Sequence, residues 1–161
     1  MTAAPGPHDP DAIAWMRAAL AEGRRALPAC LPNPPVGCVL VRDRAIVARG
    51  FTQPPGQPHA EAQAMAVLDG PLAEVTAYVT LEPCAFHGRT PSCAKTLAAR
   101  GIGRVVVAML DPDPRNAGRG IAILRDAGVA VTVGCLEEEA RADLGPYLAL
   151  PENGAPPTAA D

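Results

Sequence analysis

The sequence predicts an α/β protein, a three-layer α/β/α sandwich around a five-stranded mixed sheet. Three observations carry this. β-branched apolar runs alternate with stretches of helical periodicity, in the order α β β α β α β α β α. The first two runs are parted only by Asp43-Arg44, the length of a hairpin. Each later run is parted from the next by a helix, the spacing of right-handed crossovers that cover the faces of a sheet.

Residues 1–9, with Pro5 and Pro7, read as a flexible arm. Asp9 or Asp11 caps a first helix that Pro10 opens and that runs to about Ala26, with Ile13, Met16, Ala19, Leu20 and Leu27 on its apolar face. Four prolines between Leu27 and Pro35 demand a loop. Val36 to Val41 is a buried strand and Ala45 to Phe51 its antiparallel return. After the Thr52–Pro58 loop, a helix starts near His59, buries Ala62, Met65, Ala66 and Leu68, and ends at Gly70-Pro71. Val75 to Leu81 is a third strand; Glu82 to Pro91 is a polar loop; a helix from about Ser92 to Arg100 stops at Gly101. Val105 to Leu110, the turn-rich Asp111 to Gly120, a short helix Ile121 to Ala127, the strand Val129 to Val133 and a last helix Leu136 to Leu150 complete residues 10–150 as one domain. Residues 151–161 carry no pattern and read as a disordered tail.

Composition narrows the function. Hydrophobic residues make up 48%, enough for a packed core. No apolar run reaches the roughly 18–20 residues that span a bilayer, and the start has no export or transit pattern, so no membrane partner and a cytoplasmic setting are expected. A net charge of −3 and 3% aromatics argue against nucleic acid, which asks for a basic face or a stacking platform. An odd count of five cysteines, without an export signal, argues against a disulfide framework.

The chemistry concentrates in two segments. Pro58-His59-Ala60-Glu61 opens a helix, and Pro83-Cys84 ends a strand, followed after an eight-residue gap by Cys93 at the next helix start. One imidazole and two thiols are three zinc donors, and three protein ligands leave a fourth tetrahedral corner for water, the mark of a catalytic site. Helix N-termini lower thiol pKa, which readies both sulfurs for a metal. Glu61, two residues beyond His59, does not share its direction but can lean over the open corner and relay a proton. H-x-E with P-C-x-x-C is the zinc deaminase signature; here the second half is P-C-x8-C. Cys38 reads as simply buried, and Cys30 and Cys135 as inert.

Pro32-Asn33-Pro34, Val36-Gly37-Cys38-Val39, Pro58-His59-Ala60-Glu61, Tyr78 to Cys84, His87-Gly88-Arg89-Thr90-Pro91 and Asp111-Pro112-Asp113-Pro114 occur in that order. Over residues 11–150 this resembles the deaminase domain of the bacterial bifunctional deaminase–reductase of riboflavin biosynthesis, a member of the cytidine-deaminase-like fold. The long loop between the cysteines is the specific part of the resemblance.

The resemblance implies Zn2+ held by His59, Cys84 and Cys93, with Glu61 as proton shuttle. It implies a small phosphoribosylaminopyrimidine substrate whose ring 2-amino group is replaced by oxygen with release of ammonia. Asn33 would contact that substrate, or else serve only its turn; His87, Arg89 and Thr90 supply donors that suit a ribose phosphate, or else form a solvated loop. Asp113, where the family usually has Asn, either accepts hydrogen bonds from the substrate or caps its turn; Glu82 is either a participant or a buried hydrogen-bonding group. Thr52 stands where many relatives have His, and Pro54 where many have a basic residue, so another base, nucleoside or guanine-like ring is the alternative substrate. A homo-oligomer is expected, no reductase domain is expected in this chain, and a separate reductase would act next.

Overall fold

The structure, a computed structural model, describes residues 6–86 and 91–148. The first helix, α1 (Pro10–Arg24), begins where the Asp9 carboxylate accepts from the amides of Asp11 and Ala12 at 2.9 and 3.3 Å, so Asp9 is the cap. It stops short of the expected Ala26, although Ala26 is itself buried. The strand β1 (Gly37–Arg42) turns at Asp43 and Arg44, both at positive φ (53° and 61°), into β2 (Ala45–Phe51). Two successive left-handed residues match the twist of a two-residue hairpin. A register shift between Leu40 and Val41 marks a bulge in the pair.

The remaining elements are α2 (Ala60–Met65), β3 (Thr76–Val79), α3 (Cys93–Ala99), β4 (Arg104–Val107), α4 (Arg119–Asp126), β5 (Ala130–Val133) and α5 (Glu137–Leu144). The sheet order is β2-β1-β3-β4-β5. β1 runs antiparallel to both β2 and β3, while β3, β4 and β5 are parallel, so the sheet is mixed as expected. α1 packs on β1, β2 and β3 with α5 beside it. α2 packs on the other side of β1 and β2, and α3 lies between α2 and α4. This is the expected three-layer arrangement. No helix among the described residues is long and apolar enough to cross a membrane.

β1, β3 and β4 are the middle strands, and their residues are buried almost throughout. Each is covered on both faces, which is why their sequences run apolar without alternating. Val39, Leu40, Val79, Val105 and Val106 are fully buried among Met16, Leu72, Leu97, Leu124 and Leu144. Each such side chain contributes about 1.5–3 kcal/mol relative to exposure.

Two boundaries depart from expectation for identifiable reasons. α2 ends at Met65, before the Gly70-Pro71 stop, and it buries Ala60, Glu61, Ala64 and Met65, leaving Ala66 exposed and Ala62 and Leu68 half-buried. The carbonyls released there are taken by Arg100, whose guanidinium donates to Met65, Leu68 and Gly70 oxygens at 2.8, 2.7 and 2.7 Å. A side chain distant in sequence thus substitutes for the next helical turn. α5 is shorter than Leu136 to Leu150 because Pro146 has no amide hydrogen, and the chain tightens into a single 3-10 turn at Gly145–Tyr147.

Candidate metal centre

The His59 backbone is extended at φ −73° and ψ 171°, one residue ahead of α2, and its ring makes no cap bond to its own helix. Nδ1 instead faces the two cysteine sulfurs, 3.8 Å from Cys84 Sγ and 3.5 Å from Cys93 Sγ. The three donor atoms lie within 4.8 Å of one another. A tetrahedral zinc ion, with Zn–N about 2.05 Å and Zn–S about 2.3 Å, sets its N and S donors about 3.6 Å apart. Both observed separations are close to that edge, so the donor set fits the ion in kind and in spacing.

α2 stands close enough to β2 for this because Gly50 faces it. A Cβ at Gly50 would overlap the Ala60 carbonyl oxygen and meet the Ala64 amide at 2.8 Å. On the other side, the Ser92 hydroxyl caps α3, accepting from Lys95 N at 3.2 Å while donating to the Cys84 carbonyl at 2.8 Å. The Ala94 amide donates to the same carbonyl at 3.1 Å, and the Cys93 amide donates to Cys84 Sγ at 3.2 Å. The start of α3 is therefore stitched to Cys84 across the eight-residue gap.

These donors bear on the protonation of the sulfurs. Hydrogen bonds from the Cys93 thiol, the imidazole and the Cys93 amide favour the thiolate of Cys84 and lower its pKa. Cys93 moves the other way, raised by its bond to Cys84 and by burial, and is the donor of the pair. Without a cation between them, two adjacent thiolates repel, so one is ready and the second waits for the metal. The bond to Cys84 raises the His59 pKa.

Glu61 is buried on α2 and burial pushes its carboxyl up to about 7, against the opposing pull of His59 and a hydrogen bond with Cys93. A carboxyl near neutrality takes and returns a proton with equal ease. Cys38 is fully buried on β1 and its thiol is raised by burial and by Glu61, consistent with a packing role. None of the five cysteines is joined in a disulfide, and Cys30 and Cys135 are buried.

The remaining expected residues separate. Asn33 is half-buried, and its loop is closed by its amide on the Cys30 carbonyl at 2.9 Å. Thr52 is buried, and its hydroxyl accepts the Val36 amide at 3.0 Å, which ties down the end of that loop. Pro54 is exposed. Asp113 Oδ1 caps its turn by accepting the Arg115 amide at 2.9 Å, and both Asp113 oxygens are engaged by the Arg115 guanidinium, at 2.6 to 3.1 Å, which lowers the Asp113 pKa. The guanidinium lies over the Phe86 ring at 4.9 Å. His87, Arg89 and Thr90 lie outside the described residues.

Of two further groups around the site, Glu82 takes the second of its two expected roles and Asn116 is not singled out by the sequence. Glu82 is buried and accepts three backbone amides: Asp111 and Gly118 at 3.1 and 3.0 Å, and Ile121 at 3.1 Å. It is a hydrogen-bonding group, and it hangs the β4–α4 loop on the segment that carries Cys84. Asn116, in that loop, is fully buried. Its sequence context of Pro, Arg and Gly reads as an ordinary turn, so nothing local singles it out.

The model for the cytidine and deoxycytidylate deaminase zinc-binding region matches residues 10–109. The riboflavin biosynthesis protein RibD of Chlamydia muridarum is 46% identical over 142 residues, which is 88% of this chain and 38% of that protein. The structure of Acinetobacter baumannii RibD superposes with a TM-score of 0.80 at 44% identity, covering 83% of this chain and 37% of that one. A Thermotoga maritima structure described as a diaminohydroxyphosphoribosylaminopyrimidine deaminase/5-amino-6-(5-phosphoribosylamino)uracil reductase superposes at 0.78 and 36% identity, covering 85% and 40%. The chain thus spans well under half the length of the relatives it matches. With a zinc-binding region matched over most of the folded residues and three zinc donors converging inside it, the chain belongs to the cytidine and deoxycytidylate deaminase zinc-binding family.

Proposed function

We propose that this chain, a zinc-dependent hydrolytic deaminase by family, acts on a diaminohydroxyphosphoribosylaminopyrimidine, replacing the ring 2-amino group by a carbonyl oxygen in riboflavin biosynthesis. The observation that carries the chemistry is the convergence of His59 Nδ1 and two cysteine sulfurs beside a buried Glu61. The similarity to RibD supports the substrate class.

In this reading His59, Cys84 and Cys93 hold the zinc ion. When bound, it supplies the Lewis acidity that brings the pKa of a water toward neutrality. Glu61 takes the proton of the attacking water as a C–O bond forms at the amine-bearing ring carbon. Glu61 then delivers that proton to the departing nitrogen, the C–N bond breaks, ammonia leaves, and the remaining hydroxyl proton passes to the adjacent ring nitrogen to give the carbonyl. Burial of the carboxyl supports both halves, since an acid held near neutrality serves as base and then as acid. Asn33 orients the ring, and Arg89, with His87 and Thr90, meets the phosphate; Asp113 reaches a substrate hydroxyl only if Arg115 releases it. The homo-oligomer, the cytoplasmic setting and a following reductase step belong to the same reading, resting on the sequence.

The test is ammonia release from the phosphoribosylaminopyrimidine by the zinc-loaded chain, beside a panel of cytosine, cytidine, deoxycytidylate, adenosine and guanine. Preference for the phosphorylated pyrimidine by at least about a hundredfold in kcat/KM is expected, the discrimination that a lost charged contact commands. Preference for an unphosphorylated ring overturns the substrate assignment and leaves the deaminase reading standing.

A further inference from the structure

We infer that Asn116 is a positioning residue for the Cys84 corner of the metal site, gripping from the β4–α4 loop both peptide units that flank that cysteine. The inference rests on the zinc-site reading above. Asn116 Oδ1 accepts the Ala85 amide at 3.0 Å, and Nδ2 donates to the Pro83 carbonyl at 3.4 Å. The first group belongs to the peptide after Cys84 and the second to the peptide before it. One carboxamide therefore holds the planes on either side of the ligand's Cα. The same Nδ2 also reaches the Glu82 carbonyl at 3.4 Å and Asp111 Oδ2 at 3.3 Å.

Other contacts make the grip stiff. The Cys84 carbonyl, at the opposite end of the Ala85 peptide, is held by the Ser92 hydroxyl and the Ala94 amide at 2.8 and 3.1 Å. That peptide is thus pinned at both its polar atoms by two different elements. Asn116 itself is anchored, with its amide on the Asp113 carbonyl at 2.8 Å and its loop suspended from the Glu82 carboxylate. The clamp is reciprocal: Glu82 holds the loop, and the loop returns Asn116 to the residues just beyond Glu82.

The consequence is geometric. Turning either peptide plane by about 15° swings a side-chain sulfur by about 0.5 Å, more than the roughly 0.2 Å that a zinc–ligand distance tolerates. Asn116 touches neither sulfur in the contacts above, so it acts through Cys84. Groups of this kind commonly carry 10- to 100-fold in metal affinity.

The test uses the full chain with Zn2+ and with Co2+ as a spectroscopic substitute. The wild-type chain is expected to bind one Co2+ with a near-ultraviolet thiolate-to-metal band. Asn116→Leu, which keeps the volume and removes both donor and acceptor, is expected to unfold cooperatively and bind one Zn2+ about 10- to 100-fold more weakly. Its cobalt band should be weakened or displaced. A folded Asn116→Leu chain with zinc affinity within about threefold of wild type and an unchanged band overturns the positioning role while the zinc site stands. A wild-type chain without the band overturns the zinc-site reading, and this inference with it. Should Asn116→Leu fail to fold, the Ala85 amide decides in the wild-type chain. Exchange slowed at least about a hundredfold, with or without zinc, supports the grip, and exchange near the unstructured rate overturns it.

Discussion

Two side chains on the proposed reading have separable jobs, one chemical and one structural. Glu61 does not belong to the converging donor set, so removing its charge should leave the ion in place. Glu61→Gln is expected to lower kcat by about 10²–10⁴-fold or more, with zinc content near one per chain by atomic absorption. Cys84→Ser should do the opposite, because Cys84 Sγ is one of the three converging donor atoms. Its zinc content should fall well below one per chain after dialysis, and activity should fall with it. Equal metal loss in the two variants would contradict this division. Asp113, read in the sequence as a substrate contact or a turn cap, is in the fold also the partner of a stacked arginine.

At the scale of elements, the site depends on backbones meeting without side chains between them. α2 carries Glu61 and follows His59, and it reaches β2 through the bare Cα of Gly50. Gly50→Ala would force the Ala60 carbonyl away, and with it the start of the helix. A loss of about 1–3 kcal/mol is expected, measured by urea denaturation, the typical cost of overpacking a tight contact. Zinc affinity should drop at the same time, since His59 moves with α2. A change confined to stability would mean that the helix shifts without His59 ahead of it. The same logic holds at Gly120, where a Cβ would overlap the Pro83 carbonyl, so α4 presses on the peptide just before Cys84.

For the whole molecule, the metal ties three separate stretches of chain, before α2, after β3 and at the start of α3, into one point. An ion that binds only the folded state stabilises it by about 2.7 kcal/mol at a hundredfold excess over Kd. For a domain of this size that is a rise of roughly 5–10 °C in melting temperature over the chelated protein. The pH sign follows from His59. Its pKa is raised, and zinc and proton compete for Nδ1. Zinc stabilisation should therefore be lost as pH falls through the raised histidine pKa. The metal-free protein has the reverse dependence on this group, since a raised histidine pKa favours the folded state at low pH. Scanning calorimetry from pH 5 to pH 8, with zinc and with chelator, should show the two curves converging on the acid side. A melting difference that grows toward low pH would rule this out.

Element order, the hairpin, the buried middle strands and the candidate donor set of His59, Cys84 and Cys93 were all legible in the chain, because each rests on local rules. β-branched runs, prolines and glycines declare strands and breaks, and His, Cys and Glu have few bland uses in such contexts. Arg100 standing in for a turn of α2, Glu82 holding three amides, the capture of Asp113 by Arg115 and the grip of Asn116 on both sides of Cys84 were not legible. In most of these the partners lie some thirty or more positions apart, and even neighbours such as Asp113 and Arg115 pair only as the loop is folded. A buried polar group must find a partner, and which one it finds is decided only when the sheet and its helices close around it.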